Sequence, residues 1–343
     1  MRFVSPLLKR AVYPVLHRAG WLGHIDPRAG FAVVNYHGVI PRDHCLSDTF
    51  IYGNLLRPEI FRQQIQFLKA NYNVVDPEDF RAWIEHGEPL PPRAILVTCD
   101  DGLANALTDM LPILQSEGVP CLFFVTAASC TDNPGVLWYE ELYHLMRAGV
   151  PLEAGLRLHP AADSESSPES FPRRWWHAVR KASCFDAQKR AEWINFLRNH
   201  SSTPEASSEV SCRLLTRREL TQLARSGVTI GAHSRSHPVL SLCTEEESRR
   251  EIQQSKIEIE KTLGQPVWAF AYPFGNHATM GERELRLAEE SGFACAFVNI
   301  EDWGGVANPY ALPRTHVSRD TTSSELAAHL SGLHTRLQRA IAG

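Results

Sequence analysis

Eight short apolar runs set the rhythm of this chain. They are Phe31–Tyr36, Asn73–Val75, Ala94–Thr98, Cys121–Thr126, Val228–Ala232, Val267–Ala271, Phe293–Val298 and, more weakly, Ala311–Val317. Each is nearly continuous and lacks the in–out alternation of a half-exposed sheet, which predicts parallel strands covered on both faces. Between them apolar positions recur at helical spacing. Phe61, Ile65, Leu68 and Tyr72 share one face behind Pro58, a residue suited to a first helical position. Leu103, Leu107, Met110 and Leu114 share another, which Gly118 ends. Thr216 with Glu219, and Thr244 with Glu247, read as capping boxes that open helices ending before Gly227 and Gly264. A further helix near Glu282–Ser291 stops at Gly292.

Repeated strand–helix units require right-handed crossovers and a parallel sheet, so the class is α/β. About seven or eight units predict a barrel, complete or not, more than an open sheet. In such barrels the reacting groups gather at the carboxyl ends of the strands. The rhythm fails from about residue 130 to 215. There, His159–Pro168 reads as a loop, while helical stretches around Leu137–Ala148 and Arg173–His200 carry Trp138, Tyr139, Trp175 and Trp176. We expect a helical insertion between barrel units, acting as a lid or substrate wall or simply packed at the periphery.

Residues 1–26 read as an N-terminal amphipathic segment ahead of a barrel spanning 27–343. Val4, Leu8, Val12 and Val15 recur at helical spacing opposite Arg2, Lys9 and Arg10, with Pro14 interrupting. Such a segment is either a helix docked on the domain or a basic helix resting on the inner membrane surface. Charged residues break every apolar run where a signal-peptide core would lie, and no run approaches the roughly 20 residues of a membrane span. A cytoplasmic location is expected, peripheral to the inner membrane if the segment binds lipid.

Of the 343 residues, 43% are hydrophobic and 22% charged, ordinary values for a soluble globular protein. The formal net charge of −4 provides no basic footprint, which argues against nucleic acid as a partner. Eight scattered cysteines without a CxxC pair fit a reducing compartment.

The candidate chemistry sits at two strand ends. Asp100-Asp101-Gly102 leaves the apolar run Ala94–Thr98, and His233-Ser234-Arg235-Ser236-His237 follows Val228–Ala232. Taken singly, paired acids can cap a helix and histidines can be satisfied core residues. Together, adjacent carboxylates entering the interior call for a cation. Two imidazoles and one carboxylate make a three-ligand metal site with a position open for water, leaving the second acid as a base.

These residues carry a resemblance. Thr98-Cys99-Asp100-Asp101-Gly102 resembles the first motif of the polysaccharide deacetylases of carbohydrate esterase family four. His233–His237 resembles the second and Ala271-Tyr272-Pro273-Phe274-Gly275 the third, in the family's order and spacing. The similarity runs from about Phe31 to Ser318, apart from the insertion. It implies a distorted (β/α) barrel of about seven parallel strands and a divalent metal, most often Zn²⁺ in the family. It also implies that Asp101, His233 and His237 are the metal ligands and Asp100 the general base. The N–H of Phe274 would be the oxyanion donor. His316, in Leu312–Val317, falls near the motif that supplies the family's acid. His37, Tyr272, Phe274 and Arg314 are expected to line the substrate.

Two places depart from the family pattern. Ala271 stands where the third motif usually has an Arg that orients the base, and Arg314 is a candidate to supply that charge from another strand. The usual Asp-Trp motif has an echo in Asp302-Trp303. The expected activity is metal-dependent removal of N-acetyl groups from an amino sugar in a polysaccharide, oligosaccharide or lipid-linked glycan precursor. Two alternatives remain: deformylation or O-deacetylation at the same metal site, and a non-catalytic glycan-binding barrel.

Overall fold

A computed structural model describes residues 8–23, 25, 30–40, 50–152, 170–201, 212–301 and 308–342. Strands form where the apolar runs predict them. They are β1 (Phe31–Tyr36), β2 (Asn73–Val74), β3 (Ala94–Cys99), β4 (Leu122–Val125), β5 (Thr229–Ala232), β6 (Ala269–Ala271), β7 (Cys295–Val298), β8 (Leu312–Pro313) and β9 (Thr315–His316). Their order is β8-β7-β6-β5-β4-β3-β1-β9, with β2 added beside β3, and every pairing is parallel. β8 and β9 are two halves of one segment interrupted at Arg314. The first half pairs with β7 and the second with β1, so Leu312–His316 joins the two ends of the sheet. The barrel therefore closes through Arg314, not through a continuous ladder.

Side-chain alternation sorts the apolar residues into two layers. Phe31, Val33, Leu96, Phe124, Phe297 and Leu312 pack inside the barrel. Val34, Val97, Phe123 and Ile230 face outward and belong to the layer between strands and helices that also includes Phe61, Ile65 and Leu68 of the helix Pro58–Asn71. Following the inward positions toward the carboxyl ends, the layer turns polar: Asn35 after Val33, Thr98 and Asp100 after Leu96, Asn299 after Phe297. Arg314 follows Leu312 in the same way. That change of character locates the site.

Helix ends explain most local departures from expectation. The Thr216–Glu219 capping box forms at the helix Arg217–Arg225. The Thr244 hydroxyl accepts from the Glu247 N–H, but the Glu247 carboxylate instead accepts from the N–H of Ala187 and pairs with Arg250. That box is half-formed because tertiary partners take the acid. The stretch expected around Arg173–His200 is two helices, Phe171–Ser183 and Ala187–Asn199. Asp186 caps the second by accepting from the Lys189 N–H at 2.8 Å. With Trp138–Arg147 these form the insertion, whose own core includes Leu142, Trp175, Val179, Trp193 and Leu197. His159–Pro168 lies outside the described residues.

The described part of the N-terminal segment packs on the C-terminal helices through Tyr13, Leu16 and Leu22. This is not the face that the spacing predicted: Val12 and Val15 are exposed, Val15 at 61%. The reason is polar as well as apolar. The Tyr13 hydroxyl bonds His334 Nδ1 at 2.9 Å, and Lys9 pairs with Glu325. No described helix is long and apolar enough to cross a membrane.

At this junction Glu301, Glu325, His329 and His334 form a titrating cluster, with Lys9 paired to Glu325. Burial alone would lower His329, but Glu301, bonded to its Nδ1 at 2.5 Å, outweighs that and raises the pKa to about 9. A histidine raised in the folded state adds stability that is complete below its ordinary 6.5 and vanishes as pH climbs through about 9. Thermal unfolding should therefore show stability falling over that interval, by at most about 3 kcal/mol. His329→Gln should flatten the slope; an unchanged slope would remove His329 as its source.

Candidate metal centre and active site

Three motifs converge on one buried group. Asp101 Oδ1 lies 3.4 Å from His233 Nε2 and 3.3 Å from His237 Nε2. Donors about 2.0–2.2 Å from one ion at tetrahedral angles stand about 3.4 Å apart, so the spacing fits shared ligation. His233 Nδ1 bonds the Ala271 carbonyl at 2.8 Å, which fixes the tautomer and directs the Nε2 lone pair toward Asp101. His237 Nδ1 has no hydrogen-bond partner among the described residues. Among the described residues, this is the one cluster of three or more metal-type donors. The donor set suits a divalent ion of the Zn²⁺ kind.

The backbone around these ligands is strained in a consistent way. Five described non-glycine residues have positive φ, and four belong to the motifs: Asp101 (75°), Ser234 (61°), His237 (59°) and Phe274 (60°). Such conformations are retained where surrounding structure enforces them, and functional sites are where they cluster. Glycine completes two of the turns. Gly102 has φ 74°, and a Cβ there would lie 3.0 Å from the Val125 side chain. A Cβ at Gly275 would come within 2.8 Å of the Asn299 nitrogen, which donates to the Gly275 carbonyl at 2.8 Å.

Asp100 is held by a different set of partners. Arg314 donates from Nη1 to Oδ1 and from Nη2 to Oδ2, each at 2.7 Å, a two-point grip on a carboxylate. Both side chains are buried. Burial would raise the Asp100 pKa, but the guanidinium overrides it and holds the acid below its usual range. Asn35 adds a bond to Oδ2 at 2.8 Å and another to Asn299 Oδ1 at 3.0 Å. Arg314 thus occupies the place the third motif leaves to Ala271. Its guanidinium lies 5.4 Å from the Phe124 ring centre and 5.9 Å from that of Phe297. Arg314 was also expected at the substrate; its side chain is instead committed to Asp100.

The remaining expected residues divide. The His37 ring lies 5.0 Å from that of His316, beside the Asp100 end of the site. His316 Nε2 meets Asn54 Oδ1 at 3.2 Å. Burial, then the adjacent His37, push the His316 pKa down to about 3. Such a ring is neutral near pH 7, the opposite of what a general acid requires. The Phe274 ring centre is 4.8 Å from that of His237. Tyr272 is a correction: it is fully buried in the layer between barrel and helices, and its hydroxyl donates to the Tyr310 carbonyl at 3.0 Å. Asp302-Trp303 lies outside the described residues.

Sequence reasoning missed how the insertion grips the second motif. The Trp138 indole N–H donates to the His237 carbonyl at 3.1 Å, and the Tyr139 ring centre is 5.1 Å from that of His237. Arg190 stacks 5.2 Å over Trp138, donates to the Ser236 hydroxyl and lies 3.6 Å from Glu251. Glu251 in turn accepts from the Ser236 N–H at 2.7 Å. The aromatic pair Trp138-Tyr139 was the one visible signal.

Residues 189–295, which contain the second and third motifs, match the sequence model of polysaccharide deacetylases. Over this stretch, about a third of its length, the chain resembles the polysaccharide deacetylases. Asp100 and Asp101 fall outside the matched residues, and it is the geometry that joins them to the histidines. Over 109 residues the chain is 30% identical to a poly-β-1,6-N-acetyl-D-glucosamine N-deacetylase of Escherichia coli strain K12. That stretch is 32% of this chain and only 15% of the Escherichia coli protein. The fold resembles the Streptococcus pyogenes deacetylase PplD, solved with acetate, at TM-score 0.56 and 16% identity, covering 88% of this chain and 97% of that one. It also resembles IcaB from Ammonifex degensii, at TM-score 0.54 and 16% identity, covering 90% and 99%. At these identities the likeness is one of fold.

Proposed function

We propose that this protein is a metal-dependent hydrolase removing N-acetyl groups from an amino sugar of a polysaccharide, an oligosaccharide or a lipid-linked precursor. The observation that carries the reading is the buried Asp101–His233–His237 group with Asp100 beside it, ionised and not a member of that group. Asp101 Oδ1 and the two Nε2 atoms would hold the metal, which when bound acidifies water and polarises the amide carbonyl.

The chain's own residues do the rest. Asp100 Oδ2 is occupied by Arg314 and Asn35, whereas the hydrogen bond shown at Oδ1 is the single one from Arg314. Oδ1 therefore keeps acceptor capacity for the proton of the attacking water, and the carboxyl so formed would return that proton to the amine nitrogen as the C–N bond breaks. Arg314 and Asn35 hold that oxygen in place and keep the acid charged. Phe274, in its left-handed turn, would present its N–H to the oxygen of the tetrahedral intermediate. The insertion supplies a wall of Trp138, Tyr139 and Trp176 around His237 and Phe274. Such a wall excludes water from the reacting bond.

Full-length protein loaded with Zn²⁺ should release acetate from N-acetylglucosamine oligomers faster than it cleaves O-acetyl or N-formyl analogues. Asp100→Asn should lower kcat by about 10²–10⁴-fold while leaving metal content unchanged. Equal or faster cleavage of the other acyl groups would reassign the substrate. An Asp100→Asn protein with full turnover would end the hydrolytic reading of the site.

A further inference from the structure

The apolar face that helical spacing picks out near the N-terminus is the one the domain leaves uncovered. Val12, Val15 and Trp21 are 39%, 61% and 71% exposed. Among the described residues, the other large hydrophobics so open to solvent are Phe50 and Ile257. Single exposed apolar side chains are ordinary, but three in one short segment make a patch. Val12, Val15 and Ala19 are spaced i, i+3 and i+7 about the helix Tyr13–Arg18, so they share one side, and all three are exposed.

The opposite side fixes which face looks outward. The Tyr13 hydroxyl bonds His334 Nδ1 at 2.9 Å, His17 Nδ1 bonds the Ser324 hydroxyl at 3.1 Å, and Lys9 pairs with Glu325. Tyr13, Leu16 and Leu22 share an apolar cluster with Ala327, Ala328, Leu333 and Leu337. A helix pinned in this way cannot roll its valines inward. Their exposure belongs to the folded state.

Charge indicates what such a face would meet. Arg10 and Arg18 are exposed beside it, and residues 8–23 contain no acid. The adjoining helix Leu333–Ala342 likewise has no acid, and its Arg336 and Arg339 are exposed. The acids at this junction, Glu301 and Glu325, are engaged by His329 and Lys9. An apolar strip edged by arginines, with a tryptophan at its end, complements an anionic lipid surface. It suits a second copy poorly. A symmetric contact would set Arg10 and Arg18 against their own equivalents, and three side chains fall well short of the roughly 800 Å² per partner of a standard interface.

We propose that the face formed by Val12, Val15 and Trp21, flanked by Arg10 and Arg18, seats the folded protein on the surface of an anionic phospholipid bilayer. The segment then works on two sides at once: one is bonded to the C-terminal helices, the other meets lipid. Trp21 and the valines reach the boundary between headgroups and acyl chains, while the arginines meet lipid phosphates.

Flotation of the full chain tests this, with vesicles of phosphatidylcholine alone or mixed equally with phosphatidylglycerol. Wild type should float with the mixed vesicles and much less with phosphatidylcholine, and about 1 M salt should release it. Val15→Ser/Trp21→Ser should weaken binding about 10-fold by removing apolar contact. Arg10→Gln/Arg18→Gln should weaken it about 10- to 30-fold by removing charge. All four side chains are exposed, so Tm should match wild type in both variants. Ile257→Ser, which removes an exposed apolar residue from the distant helix Glu245–Leu263, should bind as wild type does. Wild type that ignores the mixed vesicles would overturn the proposal. So would either double variant binding as tightly as wild type, or self-association of wild type through Val15 and Trp21, which would assign the face to a second copy. Vesicle binding needs no turnover, so its outcome is independent of the deacetylase reading.

Discussion

Arg314→Met is expected to destabilise the folded protein by about 3–5 kcal/mol, because it leaves Asp100 buried without its cation. The side chain is fully enclosed, and both of its terminal nitrogens bond Asp100 at 2.7 Å. Surface pairs such as Arg249–Glu245 offer no such leverage, since water screens them. Denaturant unfolding checks the loss, and the double variant Arg314→Met/Asp100→Asn adds a sharper control. Removing the orphaned charge should recover part of the stability lost in the single variant. A single variant as stable as wild type would mean that the pair does not anchor the barrel's closure. The chemistry should suffer alongside, since Asp100 would lose the contact that keeps it ionised and aimed.

The second large effect concerns the metal group. Asp101→Ala should abolish tight metal binding and reduce turnover by more than the roughly 10²–10³-fold that follows loss of one oxyanion donor. Wild type stripped by a chelator should regain activity when a divalent cation is restored, and the variant should not. Comparison with Asp100→Asn separates two adjacent acids that differ in partner: two imidazoles for Asp101, a guanidinium for Asp100. If Asp101→Ala kept its metal while Asp100→Asn lost it, the two roles would be exchanged.

Much of this was legible in the residues. β1 follows the apolar run Phe31–Tyr36 residue for residue, because a strand covered on both faces must be apolar nearly throughout. β8 and β9 were faint for a corresponding reason: Pro313 and the charged Arg314 break the run at the point where the barrel closes. Tyr272 was misplaced because an aromatic inside a catalytic motif has the same letter whether it packs or binds. The N-terminal face was misread because a buried hydrogen bond from Tyr13 to His334 decides which side docks, and hydropathy spacing does not register such bonds. Asn35 belongs to no motif, yet alternation along β1 continues the inward positions to it.

The sequence by itself determined the strand–helix alternation, the strand ends that carry Asp100-Asp101 and His233–His237, and the donor types available there. These are local properties, set by side-chain chemistry and by spacing within a few residues. Tertiary structure alone decided that Arg314, more than 200 positions from Asp100, grips it, and that the insertion clasps His237. Each of those depends on which surfaces meet across the barrel, and no periodicity along a single strand or helix encodes such a meeting.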